Sequence, residues 1–249
     1  MRRLRDVFYV NANVDEGYYE YYGMEFSEFL RYCPLPIPRI LFLDPRVYHN
    51  EPLNLAMSMT TLNEQAIADL ARQGAYELGN FHWMDYASEE GLARCTGQEK
   101  AEILYLNCYC RPLHTAFFES IGNRFVYLAH DDGWYCRLYC RDMAVFGDII
   151  ANKIIGHFAT NKRRKMHPIG DAIKTQLLEW ADGGLLIDFS EAFVHKNSCS
   201  VNIYEIGKFS YMSEMYHNLS EIKQAAKREG WLEQSNKVWK MGSWAASET

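Results

Sequence analysis

Residues 124–142, RFVYLAHDDGWYCRLYCRD, constrain the fold more than any other stretch of this chain. Asp132-Gly133 separates two runs rich in aromatic and β-branched residues, and Asp-Gly suits a type I′ turn, where both central residues need positive φ. The spacing predicts a β-hairpin over 124–141 in which His130 faces Tyr135, Ala129 faces Cys136, Tyr127 faces Leu138 and Phe125 faces Cys140. Side chains alternate across a strand, so Phe125, Tyr127, Ala129, Cys136, Leu138 and Cys140 share one apolar face. The opposite face carries Val126, Leu128, His130, Tyr135, Arg137, Tyr139 and Arg141. That mixture fits a surface that is half covered or that binds something. A slip of one residue would bury the arginines, which pins the register.

The rest of the chain intersperses strands and helices. VFYVNANV (7–14) alternates as a strand, Asp15-Glu16-Gly17 turns it, and Tyr18 to Tyr22 returns as its partner. A short helix follows over Met24 to Tyr32 and ends before the extended Pro34, Pro36, Pro38 connector. Thr61-Leu62-Asn63-Glu64 and Thr96-Gly97-Gln98-Glu99 read as capping boxes opening two helices. NFHWMDY (80–86) reads as a strand, and Leu113 to Glu119 as a further helical turn or two after Pro112. Asp142 caps a helix through Phe158, and Pro168 suits the first turn of the next. Leu185 to Val194 and Cys199 to Ile206 read as strands. Asn218 caps a last helix whose continuation holds Leu232, Val238 and Trp239.

With hairpin-type turns and no Gly-rich strand-to-helix loop, the expected class is α+β: a mainly antiparallel sheet with packed helices and a helical C-terminal part. One compact unit over 1–249 is expected, and the best place for a sub-boundary is the loop at 159–168. The 249 residues suffice for a large core, with 48% hydrophobic and 23% charged residues. No run approaches the roughly 20 apolar residues of a membrane-spanning helix. The net charge of −6 and pI near 5.8 argue against a dedicated DNA-binding protein. Seven scattered cysteines fit reduced thiols in a cytoplasm better than a disulfide framework.

FHWMDY, the AEILYL helix and FVYLAHDDGWY together resemble an uncharacterised family of soluble bacterial proteins, over about residues 75 to 145. The resemblance rests on no catalytic motif and implies no activity.

Candidate chemistry is sparse. Cys108 and Cys110 would point roughly 200° apart on a helix. Cys136 and Cys140 share a strand face but sit about 13 Å apart, too far for one tetrahedral metal. Buried thiols acting as small hydrophobes are the better account, so no metal and no cofactor is expected. His130, Asp131 and Asp132 at the hairpin tip, joined by His82 and Asp85 from the 80–86 strand, are a candidate His/carboxylate cluster suited to a hard or borderline metal ion or to the acid–base work of a hydrolase-type enzyme. Against it, His130 and Asp131 point to opposite faces, and the turn already explains Asp132. Asp188 and Glu191 could pair as carboxylates, though nothing sets their spacing. Lys162, Arg163, Arg164 and Lys165 form a basic loop able to meet phosphates, or simply a solvated surface. Walker A, Rossmann, G-x-S-x-G and H-E-x-x-H motifs are missing. The 17 tyrosines exceed what a core alone requires. The leading expectation is therefore a soluble intracellular protein that engages another protein through a Tyr/Trp-rich surface including Trp134, Tyr135, Arg137 and Tyr139. Nucleic acid is the second choice of partner, and no membrane contact is expected.

Overall fold

The computed structural model describes residues 6–43, 59–72, 81–108, 111–130, 135–159, 166–209 and 212–244. Among these residues eleven strands form one sheet: β1 (Val7–Asn13), β2 (Tyr18–Tyr22), β3 (Arg39–Leu43), β4 (Met59–Asn63), β5 (His82–Asp85), β6 (Phe125–His130), β7 (Tyr135–Cys140), β8 (Leu185–Val194), β9 (Ser198–Glu205), β10 (Arg228–Ser235) and β11 (Val238–Ser243). Their order is β11-β10-β9-β8-β1-β2-β7-β6-β5-β3-β4, and every pairing is antiparallel. The helices are α1 (Phe26–Tyr32), α2 (Glu64–Arg72), α3 (Glu89–Ala93), α4 (Gly97–Asn107), α5 (Val145–Ala159), α6 (Asp171–Asp182), α7 (Met212–His217) and α8 (Leu219–Gln224). The class is α+β, and no helix of the described residues is long and apolar enough to cross a membrane.

Alternation divides each strand between two faces of the sheet. The first face buries Phe8, Val10, Tyr21, Trp83, Phe125 and Tyr127 beneath α1, α2, α5 and α6 in one continuous core. The second face is roofed in two places. α3 and α4 cover β3, β5 and β6 through Leu92, Ile103 and Leu106, and α7 and α8 cover β1, β8 and β9 through Met215, Leu219 and Ile222. β6 and β7 pair from Phe125↔Cys140 to His130↔Tyr135, the partners expected from their alternation. The Asp-Gly turn itself falls at 131–134, outside the described residues.

Four expectations need correction. Leu232, Val238 and Trp239 do not continue a helix, because β10 and β11 form a hairpin there. Asn236 and Lys237 both take positive φ (50° and 68°), the requirement of a two-residue type I′ turn. Thr61 lies inside β4, and α2 is capped instead by Asn63, whose Oδ1 accepts from the Ala66 N–H at 3.0 Å. Leu113 to Glu119 is not helical. The buried Asn123 side chain organises it, accepting from the Phe118 N–H (2.8 Å) and donating to the Ala116 carbonyl (2.9 Å). Pro168 precedes its helix, since Gly170 is the N-cap of α6.

The aromatic surplus also lies elsewhere than expected. Among the described residues ten tyrosines are buried, Tyr9, Tyr19, Tyr21, Tyr127 and Tyr139 among them. A sheet packed on both faces offers interior positions where a phenol can be accommodated. The Tyr9 hydroxyl donates to the Gly207 carbonyl (2.9 Å), Tyr19 donates to that of Met143 (3.0 Å), and the Tyr19 ring stacks on Phe146.

Candidate functional site

The mixed face of the hairpin lies at the middle of the second sheet face, between its two helical roofs. Cross-strand pairing lays out three rows there. One runs Tyr9, Tyr22, Tyr135, His130; the next Asn11, Glu20, Arg137, Leu128, His82; the third Asn13, Tyr18, Tyr139, Val126, Met84. Arg137 is committed inside this strip. Its Nε and Nη2 donate to Glu20 Oε1 at 3.1 and 2.8 Å, and its guanidinium lies over the Tyr18 ring. The two side chains are only 14% and 13% exposed. Tyr139 is fully buried and Tyr135 half-buried, so the strip presents little free aromatic surface.

The proposed acid–base cluster is only partly assembled. His82 and His130 lie on the same face of neighbouring strands. Burial holds His82 below the usual imidazole range, and Nδ1 lies 2.8 Å from the Asn107 carbonyl and 2.9 Å from its Oδ1. Asp85 projects to the opposite face at the far end of β5. There it accepts from the backbone N–H groups of Arg124 and Phe125 (both 2.7 Å) and from Arg124 Nε (2.8 Å). It braces the start of β6 and cannot reach the histidines. Asp131, Asp132 and Trp134 lie outside the described residues, as do Lys162, Arg163, Arg164, Lys165 and Cys110.

The thiols in the hairpin are interior. Cys136 and Cys140 are buried, and burial pushes the Cys136 thiol up to about 12, which keeps it protonated at neutral pH. Among the described residues no group of three or more metal-ligating side chains comes together.

Asp188 and Glu191 do meet. Three extra residues of β8 bulge between the Asp188↔Asn202 and Phe193↔Ser200 pairs, which turns Glu191 onto the second face. Lys223 of α8 bridges the two carboxylates, 2.8 Å from Asp188 Oδ2 and close to Glu191 Oε1. Tyr204 and Asn202 donate to Glu191 Oε2 at 2.7 and 3.1 Å. Burial alone would raise the Glu191 carboxyl, but these donors outweigh it and hold the group below its ordinary range. Every polar group in the network has a partner, so it ties α8 to the sheet.

Beyond α8 nothing among the described residues roofs the second face. Phe193, Ser200, Glu233 and Lys240 form one row, Asn202, Trp231 and Gly242 the next, and Ser198, Ser235 and Val238 the row at the hairpin end. Gly242 matters here, because a Cβ at this position would stand 2.6 Å from the Trp231 ring that lies across it. Trp244 follows, its N–H bonded to the Glu229 carbonyl. Phe193 is 61% exposed, Val238 56% and Trp244 58%. The β10–β11 part of this face was missed because the last helix was expected to continue through Leu232, Val238 and Trp239. The alternation of buried Gly230, Leu232 and Gln234 with Trp231, Glu233 and Ser235 was the available signal. No family model, curated protein or solved structure matches this chain.

Proposed function

We propose that this chain is an interaction protein that docks a protein partner on the unroofed second face of β9, β10 and β11. One observation carries the reading: Phe193, Val238 and Trp244 expose large apolar groups on the part of the sheet that no helix of the described residues covers. Scattered apolar residues are ordinary on a surface, but these flank the half-buried Trp231 on one continuous face. Aromatic groups beside charged ones, here Glu233 and Lys240, suit the centre and rim of a protein interface. The described cysteines are free thiols, which supports a reducing, intracellular setting for the encounter. The hydrolytic alternative has less support, because Asp85 and the two histidines point to opposite faces.

Site-specific photo-cross-linking in the expressing cell tests this. A photoreactive residue at position 240 is expected to give a discrete protein adduct whose yield falls at least tenfold when Phe193 and Val238 both become Asp. The same probe at Gln176, exposed on α6, is expected to give none. An adduct indifferent to the double substitution, or equally strong from position 176, would sink the assignment, provided the thermal midpoints agree.

A further inference from the structure

A second opening in the roof lies at the other end of the same sheet face. There α3 and α4 stop short of the edge strand β4, whose residues Thr60, Thr61 and Asn63 are exposed. The gap is a slot of about 520 Å³, inside the roughly 300–1,000 Å³ of small-molecule sites. Leu41 and Thr61, a cross-strand pair, form its floor with Met59. Leu92 and Ala93 of α3 make one wall, and Lys100 and Ile103, one turn apart on α4, make the other.

Leu41 and Ile103 are buried, so the inner part of the slot is apolar. Two charged side chains line it. Glu89 is engaged, since the Tyr86 hydroxyl donates to its Oε1 at 2.5 Å. Lys100 has neither an ion pair nor a side-chain hydrogen bond among the described residues, and it is exposed at the mouth. An apolar slot with one uncommitted cation at its entrance complements a molecule with a short apolar body and an anionic end. We infer that this slot binds a small amphipathic carboxylate, with its chain against Leu41, Leu92 and Ile103 and its carboxylate at Lys100 Nζ. The site is independent of the docking surface proposed above, which lies on the opposite edge of the sheet.

Titration calorimetry of the full chain with decanoate, below its micellar concentration and at low salt, tests the inference. Saturable 1:1 binding is expected. Lys100→Glu should weaken it at least tenfold by replacing attraction with repulsion. Ala93→Trp, a change at an exposed wall position, should fill the slot and abolish the heat. Both positions are at the surface, so thermal midpoints within a few degrees of the parent are expected and verify that the variants fold. Decanol, which has the same chain without the charge, should bind at least tenfold more weakly than decanoate. No saturable binding, binding unchanged by both substitutions, or decanol matching decanoate would each overturn the assignment.

Discussion

Asp85 shows what a single residue type leaves open. A carboxylate in a strand near a histidine reads equally well as a general base or as a brace, because both roles need an acceptor held in place. What decides is the set of donors that tertiary structure brings, here two backbone N–H groups and the Arg124 guanidinium. Asp85→Ala should cost about 3 kcal/mol in urea unfolding, since it strands the N–H of the buried Phe125 and breaks the ion pair with Arg124. A loss below about 0.5 kcal/mol would contradict the bracing role. Asp188 and Glu191 pose the same ambiguity, which Lys223 resolves from 32 residues away in the chain. The folded Glu191 carboxyl is depressed below its ordinary 4.5, so its contribution is present above that value and is lost as pH falls through the folded one. Lys223→Met should therefore cost about 2 kcal/mol at pH 7. The difference from the parent should shrink below pH 4.5, and a pH-independent difference would rule out this linkage.

At the scale of elements, strand alternation was legible wherever one face is buried. β1, β2, β6 and β7 each announce their faces because a one-residue slip would exchange apolar and polar sets. The C-terminal hairpin was not legible for the same physical reason. β11 is an edge strand with one open face, so its pattern is diluted by exposed Val238 and by Gly242. Its turn residues, Asn236 and Lys237, include one that rarely takes positive φ. That conformation costs a β-carbon about 1 kcal/mol or more. Lys237→Gly removes the cost while adding unfolded-state entropy, leaving an expected gain of about 0.5 kcal/mol. Chemical denaturation should show a higher midpoint with an unchanged slope. A loss of stability would mean that the Lys237 side chain contributes more than its backbone strain costs. The two candidate surfaces were hidden from the sequence by the same circumstance: each lies where a roof ends, and the extent of a roof is set by packing between distant segments.

For the whole molecule, the chain through α5 supplies β1 to β7 and the chain from α6 onward supplies β8 to β11, so the sheet divides in two between α5 and α6. The halves join through β1 and β8, in four pairs from Val7↔Asp188 to Val10↔Leu185. Viewed as strands alone, the joint is narrow. Beneath it, however, Phe8 and Phe146 from the first half share one continuous core with Leu177, Ile187 and Leu232 from the second. Separating the halves would expose the apolar side of α6 and open an edge at Leu185, Leu186 and Ile187, all fully buried in the intact sheet. Neither half covers its own apolar surface, so they should unfold together. Scanning calorimetry is expected to show one transition, with van't Hoff and calorimetric enthalpies agreeing. Phe8→Ala, at the joint, should cost about 3–5 kcal/mol and move that transition downward without splitting it. Two resolved transitions in the parent, or a split in Phe8→Ala, would show that the halves before and after residues 159–168 fold independently and that the shared core couples them only weakly.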